Sequence, residues 1–116
     1  MTTRKNKYNA RRTKVDGHVF DSRLEFRRYG ELGYLKAAGE ISNLRIHPVY
    51  TFNVNGMCVG TYKADFSYFD HRSNETVVED CKSPVTKKGR YPLVKRLMKA
   101  CHGIEIKEIT REDVRS

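Results

Sequence analysis

Apolar residues along this 116-residue chain fall into short blocks separated by polar, turn-forming stretches. Two blocks, Tyr62–Phe69 and Glu75–Lys82, are rich in aromatic and β-branched residues and flank the polar run Asp70-His71-Arg72-Ser73-Asn74. That pattern predicts an antiparallel hairpin. Upstream, Asn43–Val54 alternates in part through Leu44, Ile46, Val49, Tyr50, Phe52 and Val54. It ends at Asn55-Gly56, a dipeptide suited to the positive φ angles of a two-residue hairpin turn. Met57–Phe69 then reads as the return strand and Glu75–Lys82 as the third strand of a meander. Pro48 marks a strand start, an edge or a bulge. Val15–Phe20 reads as a smaller hairpin around Asp16-Gly17.

Two helices complete the pattern. Asp21-Ser22 is an N-cap signal, and Arg23–Ala38 follows at helical period, with Leu24, Leu32 and Leu35 near one face, Tyr29 beside them and Gly39 as the stop. Gly30 and Gly33 each weaken such a helix by roughly 1 kcal/mol relative to Ala unless close packing requires them. Tyr91–His102 is the second helix, with Pro92 in its first turn, a stripe of Leu93, Leu97, Ala100 and Cys101, and Gly103 at its end. Ile104-Glu105-Ile106-Lys107 alternates apolar and charged residues, and Ile104–Ile109 reads as a last strand with isoleucines inward. The chain divides into a basic arm (1–14), one domain (15–110) and a polar tail (111–116).

Charge changes the picture more than composition does. Lys and Arg number 23 against 14 Asp and Glu, a net charge of +9, and the isoelectric point is near 9.6. Such an excess points to polyanions, nucleic acid before anionic membrane. Arg4, Lys5, Lys7, Arg11 and Arg12 lie in an opening stretch that contains no acid. Between Asp80 and Glu105 there is again no acid, while Lys87, Lys88, Arg90, Lys95 and Arg96 fall there. These ten residues are the candidate nucleic-acid contacts. No apolar run is long enough to span a bilayer, the basic start lacks the apolar core of a signal peptide, and neither helix suits a membrane surface. The expectation is a cytoplasmic protein without membrane contact. Cys58, Cys81 and Cys101 are odd in number and lack zinc-ligand spacing, which suits free thiols in a reducing compartment.

The candidate chemistry sits beside the basic surface. In the Tyr62–Lys82 hairpin, Asp65 near the start of one strand approaches Asp80 near the end of the other. Asp80 and Lys82, two apart, share a face. Carboxylates are the usual ligands of a hard cation, and an ammonium beside them can orient water or offset charge on a phosphoryl group. The Cys81 carbonyl is a further candidate ligand. Glu79 lies on the opposite face in regular strand geometry, and a bulge would exchange it with Asp80. Glu25 has two readings. Ser22-Arg23-Leu24-Glu25 matches a capping box, and the same carboxylate is placed to reach Asp65 and Asp80.

The order Glu25 on a first helix, Asp65 on a strand and Asp80-x-Lys82 on the next resembles the PD-(D/E)XK nuclease superfamily. More closely, the stretches around Val15–Ser22, Glu25–Arg28, Ala38–Ile41, Tyr62–Phe66, Val77–Lys82 and Gly103–Ile109 are similar to small phage and prophage nuclease-like proteins. Alanine rather than proline precedes Asp65, and aspartate fills the D/E position. The resemblance implies an α/β (α+β) fold with a restriction-endonuclease-like αβββαβ core, its mixed sheet flanked by two helices, as in Holliday junction resolvases. It implies Mg²⁺ or Mn²⁺ on Asp65 and Asp80, with Glu25 as a further acid and Lys82 as the catalytic base or stabiliser.

The expected function is therefore a metal-dependent DNA endonuclease, with branched DNA the leading substrate and pairing into a homodimer as a means of cutting two strands. If phage-encoded, it would act in the bacterial host cytoplasm. The alternative is a basic nucleic-acid-binding module without activity.

Overall fold

In the computed structural model, which describes residues 13–82 and 89–114, both turn dipeptides adopt the backbone that their chemistry favours. Asp16 and Gly17 take φ of 53° and 81°, and Asn55 and Gly56 take 50° and 80°. The first turn joins β1 (Thr13–Val15) to β2 (His18–Phe20). After α1 (Arg23–Ala37) come β3 (Ile41–Ile46), β4 (Val49–Val54), β5 (Met57–Lys63), β6 (Phe66–Asp70) and β7 (Glu75–Cys81). They are followed by α2 (Tyr91–His102) and β8 (Lys107–Ile109).

The central sheet has the order β3-β6-β7-β8. The first three strands are antiparallel neighbours and β8 runs parallel to β7, so the sheet is mixed and the fold is α+β. Successive residues of β7 point to opposite faces. Val78 joins the core formed with Tyr91, Val94 and Met98 of α2, while Glu79 bonds Arg28 of α1. The two helices therefore cover opposite faces. A second core, Phe20, Leu32, Ile41, Phe66 and Tyr68, lies on the α1 side.

The long hairpin expected from Asn43 to Phe69 forms, but it is bent into two sheets. Its outer half, β4 with β5, is a separate two-stranded ribbon. Backbone bonds from His47 N–H to Asp65 O (2.9 Å) and from Ala64 N–H to Pro48 O (2.9 Å) carry the pairing across the bend. There the chain turns over. Tyr62 and Ala64 pack in the α2-side core, whereas Phe66 and Tyr68, of the same parity, pack in the α1-side core. On the other strand His47 takes φ of 53°, a region sparsely populated by non-glycine residues, and Pro48 follows it.

Other expectations shift in detail. The buried positions of α1 are Glu25, Arg28 and Leu32, so this helix meets the sheet through two charges and one leucine, while Leu24 and Leu35 are half-buried. The α2 stripe is Tyr91, Val94 and Met98, with Leu97 and Cys101 partly covered. Leu93, expected in that stripe, is exposed, whereas Met98 is fully buried. The last strand is only Lys107–Ile109. Ile106 packs on the α2 side and Glu108 faces Lys95 there, so Ile109, buried, points the other way. Residues 110–114 after it are held in place, since Asp113 accepts from Thr110 N–H at 2.8 Å and Val114 is buried. A side chain at Gly30 or Gly33 would meet no atom within 4 Å, so packing does not require either glycine. Among the described residues, no helix is long and apolar enough to cross a membrane.

Candidate metal centre

Ser22 ends the extended approach to α1 at φ −144°, and its Oγ accepts from the Glu25 N–H at 3.1 Å. The serine half of the capping box is thus present. The Glu25 carboxylate turns inward, with Oε1 2.5 Å from Nε2 of His47. Burial raises the Glu25 pKa, and the bond to His47 offsets part of that effect.

Asp65 sits where the hairpin turns over. Its N–H donates to Glu79 O at 3.1 Å, and its Oδ2 accepts from Cys81 N–H at 2.6 Å. Its carboxyl is pushed up to about 8, first by burial and then by the charge of Glu25; the Cys81 bond and Lys82 pull it down, and Asp80 pushes it further up. Among the described residues, donor atoms of Glu25, His47 and Asp65 all lie within 4.8 Å of one another. Two carboxylates and an imidazole are a donor set that could hold a divalent metal ion. A bound cation would favour the ionised form of Asp65 against both the burial and the neighbouring Glu25 charge that raise its pKa.

Asp80 lies outside that trio, near enough for its charge to act on Asp65. It is buried; Tyr62 OH donates to its Oδ2 at 2.5 Å, and Lys82 Nζ lies 3.3 Å from its Oδ1. The Lys82 ammonium also sits 3.8 Å from the centroid of the Tyr91 ring, a cation–π contact. Burial, reinforced by Asp80, raises the Tyr62 pKa, so the phenol stays a neutral donor. Glu25 and Asp65 with His47 thus form the tight group, while Asp80 is turned toward Tyr62 and Lys82.

Glu79 does not exchange with Asp80. The β6–β7 register is regular from Phe66↔Glu79 to Asp70↔Glu75. Glu79 is fully buried and receives both prongs of the Arg28 guanidinium, Nε to Oε1 at 2.7 Å and Nη2 to Oε2 at 2.6 Å. Tyr68 OH donates to the same Oε2. Burial works against the Arg28 charge, but the bonds to Glu79 outweigh it and the pKa rises. The Cys81 thiol packs against the α1-side core, and burial followed by the Asp65 charge raises its pKa. Its backbone, not its sulfur, borders the site.

The basic candidates divide. Arg4, Lys5, Lys7, Arg11, Arg12, Lys87 and Lys88 lie outside the described residues. Arg90 Nη2 donates to Thr61 O at 2.7 Å, tying α2 to the β4–β5 ribbon. Lys95 is 3.2 Å from Glu108. Both thus have structural partners that sequence reasoning did not anticipate. Arg96 is exposed on α2.

His47, Tyr62, Tyr91 and Arg28 escaped the sequence reading. A histidine before a proline at the break in a strand pattern is the one signal that marked His47. The aromatic pair looks like any strand or helix aromatic, and Arg28 is one of many arginines.

The profile of the family described as Protein of unknown function (DUF1064) matches residues 5–111, most of the chain. The chain belongs to the DUF1064 family. No curated protein and no solved structure matches it. In this DUF1064 chain, the region from α1 through β8, which carries the acidic and imidazole side chains described above, falls within the matched span.

Proposed function

We propose that the protein is a metal-dependent endonuclease that hydrolyses phosphodiester bonds of DNA, branched DNA included. One observation carries the reading: donor atoms of Glu25, His47 and Asp65 gather within 4.8 Å of one another, and on β7 the neighbouring carboxylate of Asp80 has the Lys82 ammonium 3.3 Å away. The element order α1, β3, β6, β7, α2, β8 supports the resemblance to PD-(D/E)XK nucleases. So does the placing of Glu25, Asp65 and Asp80-x-Lys82 on its first helix, before its second strand and on its third.

Glu25, His47 and Asp65 would hold Mg²⁺ or Mn²⁺, with Asp80 and the Cys81 carbonyl as further oxygen donors beside them. When bound, the cation lowers the pKa of water and polarises the phosphoryl oxygen. Tyr62 fixes the Asp80 carboxylate through Oδ2 and leaves Oδ1 to Lys82. Lys82, held between that oxygen and the Tyr91 ring, orients the attacking water or offsets charge on the non-bridging oxygens. Net positive charge draws the polyanion to the surface.

The test is incubation with linear, nicked, flapped and four-way DNA, and with RNA, in Mg²⁺ or Mn²⁺. Cleavage should require the cation, stop with EDTA and be absent from Asp80→Asn protein that remains folded. Turnover that survives either treatment, or binding without cleavage of any substrate, overturns the reading and leaves a basic binding module.

A further inference from the structure

A cleft of about 370 Å³ opens beside the acidic cluster, with Arg23 and Arg27 of α1 on one side and Arg111 after β8 on another. Ser22 and Cys81 also line it. Each of these two touches the candidate centre: Ser22 Oγ accepts from the Glu25 N–H, and the Cys81 N–H donates to Asp65. The cleft and the acidic cluster therefore share a wall.

The three arginines differ from others in the chain. Arg28 is bound to Glu79, Arg72 to Glu40 and Arg90 to Thr61 O. Arg23, Arg27 and Arg111 are exposed and form no ion pair among the described residues. Arg23 and Arg27, four apart, lie on one side of α1. Unpaired guanidinium forks converging on one cleft match the oxygens of a phosphate, which they bind through two parallel bonds. Leu24 and Val114 give the same cleft an apolar surface, against which a sugar can lie.

We propose that this cleft binds a backbone phosphate of the nucleic-acid strand next to the one presented to Asp65 and Asp80. The role deepens the nuclease reading and rests on it for the direction of the strand. The binding itself can be measured without any cleavage.

Fluorescence anisotropy of a labelled DNA duplex in EDTA, over a range of salt, reads this directly. Arg23→Gln/Arg27→Gln/Arg111→Gln should weaken binding on the order of tenfold to a hundredfold and lower the slope of log Kd against log salt by about 2 to 3. Arg111→Gln alone should lower it by about 1. Arg45→Gln, an exposed arginine on β3 away from the cleft, should change neither by as much, and unaltered melting temperatures should accompany all three proteins. An affinity within twofold of the parent and an unchanged slope overturn the proposal. So does a triple variant that binds DNA normally but no longer broadens the ³¹P signal of inorganic phosphate, since the cleft would then serve free phosphate. If the slope falls and no DNA is ever cut, the cleft stands and the nuclease reading goes.

Discussion

Glu79 and Asp80 are neighbours on β7, and their carboxylates meet opposite surroundings. Glu79 faces α1, is wholly enclosed, and has both oxygens engaged by one guanidinium, with a phenol added. Asp80 faces the α2 side, and its partners are a phenol and an ammonium that stands 3.3 Å away. A buried carboxylate that accepts three hydrogen bonds, two of them from its ion-pair partner, holds two elements together and has little left for a ligand. Asp80 has one hydrogen bond and one looser ammonium contact, so more of its acceptor capacity is left. One step along a strand separates an acid locked in an ion pair from the one we propose for chemistry.

The sharpest way to break this contrast is to remove each acid in turn. Asp80→Asn should lower cleavage on the order of a thousandfold or more, since it removes charge felt in the transition state, while denaturant unfolding stays near that of the parent. Glu79→Ala should do the reverse. It leaves Arg28 buried without its partner and should cost about 3–5 kcal/mol of stability, read from urea midpoints. A Glu79→Ala protein that unfolds normally but does not cut would reverse the two roles.

The next effect is in pH. Asp65 is raised from the usual carboxylate value of 3.8 to about 8 in the folded protein, and Glu25 is raised as well. The folded state therefore holds protons that the unfolded chain releases earlier. The resulting stability is fully present below about pH 4 and is lost as pH rises through about 8. In EDTA, the unfolding free energy from urea titration should be higher at pH 5 than at pH 8.5, by up to about 4 kcal/mol, and Asp65→Asn should flatten the dependence. Mn²⁺ should restore stability at pH 8.5, where the ligands are deprotonated. A metal-free midpoint that climbs between those two pH values would contradict the crowding.

His47 allows a finer cut. Asparagine tolerates its left-handed backbone, so His47→Asn should keep the fold and weaken Mn²⁺ binding about tenfold or more, measured by calorimetry. His47→Val should add a folding cost of roughly 1–2 kcal/mol at φ 53°. Equal stability of the two variants would mean that the backbone there is not constrained. The smallest effect belongs to a region outside the contrast. Gly30→Ala should stabilise the protein by roughly 1 kcal/mol, because its methyl meets open space, and should leave cleavage unchanged.

The face assignment on β7 could be read from sequence because strand alternation is local. Asp80 and Lys82 must share a side, and Glu79 must not. The approach of Asp65 to that strand end followed from hairpin register, and Cys81 N–H bonding Asp65 is its outcome. The turn-over at His47 and Asp65 could not be read, because strand patterning carries no mark for a reversal of faces between two cores. That reversal is what brings His47 to Glu25. The polar underside of α1 was hidden for a related reason. Helical patterning seeks apolar stripes, and Arg28 is buried through a partner 51 positions away.

The bend at His47-Pro48 and Ala64-Asp65 separates what lies above it from what lies below. Two of the three clustered donor residues belong to the joint itself, and the register is continuous through it. Paired lengthening or trimming at the Asn55-Gly56 end would move neither donor. The tip of the ribbon can thus change in length and surface while the corner that carries His47 and Asp65 beneath it stays as it is.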